Sequence, residues 1–147
     1  MKKLIYLAVM LTSLSAYAAA PPEVNEKVLK AFKETFSEAR NVTWTEMEDS
    51  YKADFKMSQA QVRAFYDNDG NLLETVRYYD EKMLPLNIIT SVKKKYPGRQ
   101  IFGVTEISAE GDIVYHITLR DGENWYVVKA DPYANLMQTK KFKDASK

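Results

Sequence analysis

The sequence predicts an α+β fold made of two successive units, each a helix followed by four antiparallel strands. One turn, residues 67–72 (DNDGNL), has a counterpart later in the chain at 131–136 (DPYANL). A helix-period pattern occurs twice in the chain, and four strand-period runs follow each occurrence. Because helix and strands recur in the same order, the sequence indicates an internal repeat.

The first eighteen residues are predicted to be an export signal peptide. A basic start is followed by an apolar run from Leu4 to Leu14, and Ala16-Tyr17-Ala18 matches a small-x-small cleavage site. A membrane anchor is disfavoured because this run is too short to cross a hydrocarbon core of roughly 30 Å. We expect cleavage near Ala18 and a soluble periplasmic or secreted protein, without membrane insertion of the mature chain.

Composition excludes several classes of function. Removal of residues 1–18 takes away two of the 21 basic side chains and none of the 20 acidic ones, and the chain has no cysteine. This near-neutral balance argues against nucleic acid as a partner, since phosphate binding requires a clustered basic surface. Without cysteine there is no disulfide, so stability must come from packing. We divide the mature chain into repeats at 19–82 and 83–147 that together form one domain.

Two amphipathic helices are predicted. The first begins after Asn25, a good N-cap residue, and extends for about fourteen residues. The second has Pro85 in its first turn and stops at Pro97-Gly98. The apolar positions are Val28, Ala31, Phe32, Thr35, Phe36 and Ala39 in the first helix, and Ile88, Ile89, Val92 and Tyr96 in the second. Both stripes require a sheet to cover them.

Eight strands are predicted, four after each helix. They are residues 42–48, 51–57, 61–66 and 72–79, then 101–107, 113–119, 125–130 and 136–142. Their clean alternation predicts a sheet with one covered face and one open face. The offset between the units is larger at the turns than in the helices, which indicates slightly longer loops in the second unit. On this basis Phe32 should match Val92, and Phe55 should match Ile117.

The order of several short motifs resembles the PepSY-like periplasmic family, which is also described as beta-lactamase-inhibitor-protein-like (BLIP-like). The motifs are a helix ending in Phe36, then residues 41–44 (NVTW), 51–55 (YKADF), 66–70 (YDNDG), and Leu84-Pro85 opening the second round. The resemblance implies that the two repeats join into one larger curved sheet with the helices on one face. The family has no settled biochemical activity, and its functional residues are not defined in a way that could be carried over to this chain. The chain lacks the disulfides of the inhibitor protein, which argues against a beta-lactamase as its partner.

No catalytic or metal-binding constellation is found in the sequence, and no cofactor is expected. The segment starting at Asp67 begins like a calcium loop, but Gly70 falls at position four instead of six, and a hairpin turn explains it better. His116 is the only histidine and is expected on the sheet surface. The lysines at 93–95 suggest either an anion site or favourable charges at a helix C-terminus.

The open face of the sheet is the predicted functional surface. Period-two alternation places Val62, Ala64 and Tyr66 inward, so that Arg63 and Phe65 point away from the helices. The predicted partner-binding residues are Arg63, Phe65, Trp125, Arg120, His116, Lys52 and Lys56. Exposed aromatic residues beside arginine are typical of recognition sites. The alternative interpretation, that Phe65 and Trp125 are ordinary surface aromatics or are covered by a loop, stays open.

Two functions are compatible with these features. The first is a non-catalytic periplasmic binding module, such as an inhibitor or a chaperone-like factor, whose open face binds a protein or peptide. The second is a small-ligand-binding or envelope-sensing protein with a pocket between helix and sheet. An apolar cavity would favour the second, and a flat exposed aromatic patch would favour the first. The sequence does not identify the partner or the oligomeric state.

Overall fold

A computed structural model describes residues 23–144. These residues form the helices α1 (Glu26–Thr35) and α2 (Leu86–Lys95), a 3-10 turn (Glu81–Met83), and the strands β1 (Arg40–Met47), β2 (Ser50–Met57), β3 (Ala60–Asp67), β4 (Leu72–Tyr79), β5 (Gln100–Ala109), β6 (Asp112–Arg120), β7 (Asn124–Ala130) and β8 (Leu136–Lys143). The predicted signal peptide, residues 1–18, lies outside the described residues.

The eight described strands form one open sheet in chain order, from β1 at one edge to β8 at the other. Each strand pairs antiparallel with the next one along the chain. Among the links between these strands, only the one from β4 to β5 contains other elements, the 3-10 turn and α2. Because β4 still pairs directly with β5, the two predicted four-stranded sets form a single sheet. The predicted α+β class and the single antiparallel sheet are therefore confirmed.

One face of this sheet is buried beneath both helices. In β3, Val62, Ala64 and Tyr66 are at most 1% exposed, and the alternate residues are not buried. In β7 the buried residues are Tyr126, Val128 and Ala130. All six belong to the same hydrophobic cluster as Val28 and Phe32 of α1 and Ile88 and Val92 of α2. The predicted inward and outward faces of β3 and β7 are therefore confirmed.

Phe32 is the centre of the packing beneath α1. It is 6% exposed, and its ring centroid lies 5.1 Å from that of Trp44 and 5.1 Å from that of Phe55, in edge-on contacts. Such geometry matches the positive edge of one ring to the negative face of another. Phe36 packs against the same cluster but is only partly buried, so it contributes less than the sequence pattern predicts.

Both helix boundaries differ in detail from the prediction. The first helix is shorter than predicted and ends at Thr35. Phe36 caps it by donating its N–H to the Phe32 carbonyl, and the chain must then turn so that β1 can start at Arg40 opposite Lys56. Asn25 is the N-cap, as predicted. Pro85 is the N-cap of α2 and lies just before its first turn.

The strand pairing corrects one predicted match. A bulge lies between Arg40 and Thr43 in β1, and another between Ile101 and Gly103 in β5. Beyond each bulge, Thr43 pairs with Asp54 and Gly103 pairs with Thr118. Thr43 is therefore equivalent to Gly103, and Asp54 is equivalent to Thr118. By this correspondence the next residue along, Phe55, aligns with Leu119 instead of the predicted Ile117.

The turns after β3 and β7 have the same hydrogen bonds. Asp67 Oδ1 accepts from two backbone N–H groups, those of Asp69 and Asn71, and Asp131 accepts from the equivalent pair. Gly70 has a positive φ of 86°. A Cβ at Gly70 would lie 2.9 Å from the Lys27 carbonyl oxygen, so glycine also permits the close approach of α1. The prediction that residues 67–72 form a tight turn is confirmed.

Replacement of Phe32 by alanine should lower the free energy of unfolding by about 3–5 kcal/mol, because it empties the space at the centre of four aromatic contacts. Lys30→Ala is the matched control, since Lys30 is exposed on the same helix and its loss should change stability by less than about 0.5 kcal/mol. Urea denaturation followed by circular dichroism measures both. Equal stability of the two variants would contradict the packing of α1 on the sheet.

Candidate functional site

The open face, the side of the sheet without helices, is continuous from one edge to the other. Residues that pair directly across strands lie on the same face. One such row runs from β1 to β8 through Arg40, Lys56, Gln61, Tyr78, Thr105, His116, Lys129 and Met137. None of these eight residues is buried. The row crosses the junction of β4 and β5 without interruption, so both halves of the chain contribute to one surface.

The predicted site residues all lie on this face, but in two separate groups. Lys52, Lys56, Arg63 and Phe65 are on β2 and β3, whereas His116, Arg120 and Trp125 are on β6 and β7. Phe65 shares a row with Asp112 at the start of β6, whereas Trp125 pairs with Arg120 at its end. With four strand spacings between β3 and β7, the two aromatics are roughly 30 Å apart. The structure therefore does not bring Phe65 and Trp125 together.

Two of the three cations in the first group share one carboxylate. Arg63 Nε lies 2.9 Å from Asp54 Oδ1, and Lys52 Nζ lies 3.3 Å from Asp54 Oδ2. Partial burial raises the pKa of Asp54, but the hydrogen bonds from Arg63 and Lys52 outweigh it and hold that pKa below its ordinary value. Asp54 is therefore ionised at neutral pH, and Arg63 is committed to a partner within the chain.

The second group is part of an aromatic cluster. Arg120 places its guanidinium carbon 4.8 Å from the ring centroid of Trp125, and Phe102 meets the same ring edge-on at 4.7 Å. Phe142 is paired directly opposite Trp125. Phe102 and Phe142 are 64% and 50% exposed. Three rings and a guanidinium thus form an apolar and cationic corner of the open face.

Phe102 and Phe142 were missed by the sequence prediction for physical reasons. Phe102 occupies the bulge of β5, where the period-two rule fails because one strand has an extra residue. Phe142 joins the surface only through its pairing with Trp125, which depends on the register of the last hairpin. Counting outward from the turn at 131–135 would have indicated that pairing to within one residue, so the hairpin register was the available signal.

His116 lies near two lysines on the open face. Lys129 is its direct partner on β7. Lys140 lies on β8, next to Lys129, in the adjacent row opposite Val127. Partial burial lowers the pKa of His116, and the positive charges of Lys129 and Lys140 lower it further. The imidazole is therefore neutral at neutral pH, and both lysines face it without an ion-pair partner among residues 23–144.

A second polar cluster lies on the helix-covered face at the junction of the two halves. Glu106, 9% exposed, accepts a hydrogen bond from Arg77 at 3.0 Å and another from the Tyr79 hydroxyl. Burial, followed by the proximity of Glu106, raises the pKa of Tyr79, so the hydroxyl remains a proton donor. Both carboxylate oxygens are occupied within the chain. This arrangement fixes β4 against β5 and leaves neither oxygen of Glu106 without a partner.

The grooves and charge clusters of the described residues indicate less about function than the open face does. A groove of about 590 Å³ lies between the β5–β6 and β7–β8 turns. Another, of about 570 Å³, lies between α2 and the start of β8, and Lys95 crosses it to donate to the Leu136 carbonyl. Lys93 is paired with Glu81.

Residues 23–144 contain no group of three or more acidic or histidine side chains placed to hold a metal ion. Neither of the two described helices has the length and apolar character needed to cross a bilayer.

Comparison with solved structures shows the fold. A BLIP-like protein from Bacteroides fragilis aligns with a TM-score of 0.65 and 17% identity over 88% of this chain and 92% of its own. A DUF2874 family protein from Bacteroides uniformis gives 0.61 and 16% over 80% and 88%. A protein from Bacteroides eggerthii, provisionally described as periplasmic, gives 0.63 and 15% over 83% and 90%.

The chain thus has a BLIP-like α+β fold, which agrees with one part of the predicted resemblance, while nothing in the comparisons supports the PepSY part. No family model matches the sequence, and no curated protein matches it significantly.

The environment of His116 predicts a titration midpoint below 6.5, measurable by NMR from the single histidine of the chain. The double variant Lys129→Gln/Lys140→Gln should raise the pKa, because both positive neighbours are removed, but not fully to 6.5, because burial remains. Lys141→Gln/Lys143→Gln removes the same charge from the other face of β8 and should leave the midpoint unchanged. Equal shifts in both double variants would contradict the described pairing of β7 with β8.

Proposed function

We propose that the protein is a non-catalytic periplasmic binding module that uses the open face of its sheet to hold another protein or a peptide. The observation that carries this proposal is the uninterrupted row of eight unburied residues that crosses the whole sheet. A sheet covered by helices on only one side leaves its other side for contact. The aromatic corner around Trp125 gives that side the composition of a recognition surface.

The dimensions of the open face are sufficient for a protein partner. Eight strands at about 4.8 Å spacing and eight residues at about 3.3 Å give roughly 1,000 Å² in projection. A specific interface requires about 800 Å² per partner. Either half alone provides roughly 500 Å², so contact with a folded protein would have to span the β4–β5 junction.

The cellular assignment is supported by two independent features. Residues 1–18 have the organisation of an export signal, and a protein of the same fold from Bacteroides eggerthii is provisionally described as periplasmic. The non-catalytic assignment is supported by the likeness to a BLIP-like protein and by the occupied hydrogen bonds of Glu106 at the junction. We place the binding activity outside the membrane and without a cofactor.

The open face would arise by duplication of one unit, residues 19–82 and 83–147. Support comes from features that recur at matching places: the bulge in the first strand of each set, the helix C-cap bonds of Phe36 and Tyr96, and the turns at Asp67 and Asp131. A duplicated unit explains why both halves present the same face, and it doubles the area available to a partner.

Substitution of Phe65 and Trp125 together by serine should leave the thermal midpoint nearly unchanged, because both are on the open face, and should abolish capture of the partner from periplasmic extract. The matched control is Leu86→Ser/Tyr133→Ser, which removes two apolar side chains that are 77% and 87% exposed but lie on α2 and in the β7–β8 turn. Mass spectrometry identifies what each bait retains.

The proposal requires a protein that is retained by the wild type and the control and is lost with the open-face variant. Loss of the same protein from both variants, or its retention by both, would place the contact elsewhere. Unfolding of the open-face variant would mean that the faces are assigned in reverse. The single variants Phe65→Ser and Trp125→Ser then show which of these two positions, roughly 30 Å apart, contacts the partner.

A further inference from the structure

We infer that the β5–β8 half of the open face binds an extended acidic peptide segment that carries aromatic or other large apolar side chains. The region concerned is called here the basic aromatic region, and it consists of Phe102, Arg120, Trp125, Lys129, Lys140 and Phe142. This inference rests on the proposed function and deepens it, because it names the chemistry of the partner and the half of the face that recognises it.

Unpaired positive charge lies on both halves of the open face, and in the β5–β8 half it lies near the rings of Phe102, Trp125 and Phe142. On β2 and β3, Lys52 and Arg63 share the single carboxylate of Asp54, and Lys56 has no ion-pair partner within residues 23–144. On β7 and β8, Lys129 and Lys140 have no ion-pair partner within residues 23–144. They lie on adjacent strands in neighbouring rows, both on the same side of His116, and their charges reinforce one another. Like charges in one place cost free energy unless an anion approaches, so this half is complementary to carboxylates.

The carboxylate that the chain itself supplies to this region is already engaged. Asp144 Oδ2 lies 2.7 Å from Arg120 Nη2, and its side chain is 6% exposed. It holds the guanidinium against the Trp125 ring, so Arg120 and Trp125 are ordered before any partner arrives. Preorganised groups lose little entropy on binding, which favours them as anchors.

Apolar side chains of the partner would contact the ring cluster. Phe102 and Phe142 expose 64% and 50% of their surface on either side of Trp125. Lys140, which is paired with Val127, lies two residues from Trp125 along the strand direction, and Lys129 lies four residues from it. A peptide running parallel to β7 would therefore place an aromatic group on the rings and acidic groups over the next two rows, about 7–13 Å away.

The area also favours a peptide segment over a folded domain. Four strands present roughly 500 Å², which is below the 800 Å² or so expected of each partner in a stable interface between folded proteins. A short extended segment could fit this half without reaching across β4.

The test measures binding of synthetic fluorescein-labelled octapeptides to the mature protein by fluorescence anisotropy. The probe contains two phenylalanines and four glutamates. One comparison peptide has lysine in place of glutamate, and a second has alanine in place of phenylalanine. Labelled oligothymidylate of matching length serves as a polyanion. We expect binding of the probe at least about tenfold tighter than that of any comparison molecule, and weaker binding at higher salt.

Three readouts locate the site. Lys129→Gln/Lys140→Gln should weaken probe binding about tenfold, whereas Lys141→Gln/Lys143→Gln, with the same change of net charge on the opposite face, should have less than about a twofold effect. Trp125→Ser should weaken binding while Phe65→Ser does not. The bound probe should raise the NMR titration midpoint of His116, since nearby carboxylates favour the imidazolium.

Several results would overturn the inference: equal binding of the lysine peptide, equal binding of oligothymidylate, equal effects of the two double-lysine variants, or no peptide binding at all. These failures differ from failure of the proposed function. If no peptide binds but a periplasmic protein is still captured and is lost with Phe65→Ser/Trp125→Ser, the proposed function stands without the acidic segment. If the peptide binds but no captured protein depends on the open face, the protein partner of the proposed function is wrong and the peptide partner stands.

Discussion

The alternation of side chains across seven antiparallel pairings is the constraint on which the rest of this molecule depends. Because each strand pairs with the next in register, paired residues lie on the same face of the sheet from the first strand to the last. The row through Val62 and Ala130 is therefore mostly buried beneath the helices, while the row through Gln61 and Lys129 is open. A slip of one residue between two strands would exchange the faces of the strands beyond it and expose their core side chains.

The register is least constrained by local structure at the junction of β4 and β5, because the link there contains a helix instead of a tight turn. The buried contacts of Glu106 with Arg77 and Tyr79 join these two strands. A buried ion pair adds little net stability, but its removal in the wrong register would leave a carboxylate unpaired, which is strongly unfavourable. The pair thus selects one register across the junction, and the open face is continuous as a result.

Much of the fold followed from local patterns, but the arrangement of the site did not. The alternation of Arg63 and Phe65 with Val62 and Ala64 predicted the faces correctly, since side-chain direction depends only on backbone period. The distance between Phe65 and Trp125 depends on strand order and stagger, which alternation does not encode. Phe102 was missed because a bulge interrupts the period. The ion pair of Arg63 with Asp54, and the lack of one for Lys129 within residues 23–144, could be recognised only once the neighbouring strands were known.

The most direct measurement of the central claim is the rate at which single introduced cysteines react with a thiol reagent in the native protein. The chain has no cysteine of its own, so each thiol reports one position. The open-face variants are Gln61→Cys, Thr105→Cys and Lys129→Cys, and the covered-face variants are Ala53→Cys, Ala64→Cys and Ala130→Cys. One continuous sheet with one covered face predicts fast labelling of the first set on both sides of the junction, and labelling at least about a hundredfold slower in the second. If Gln61→Cys labels fast and Thr105→Cys is protected, the face changes at the junction and the account is wrong.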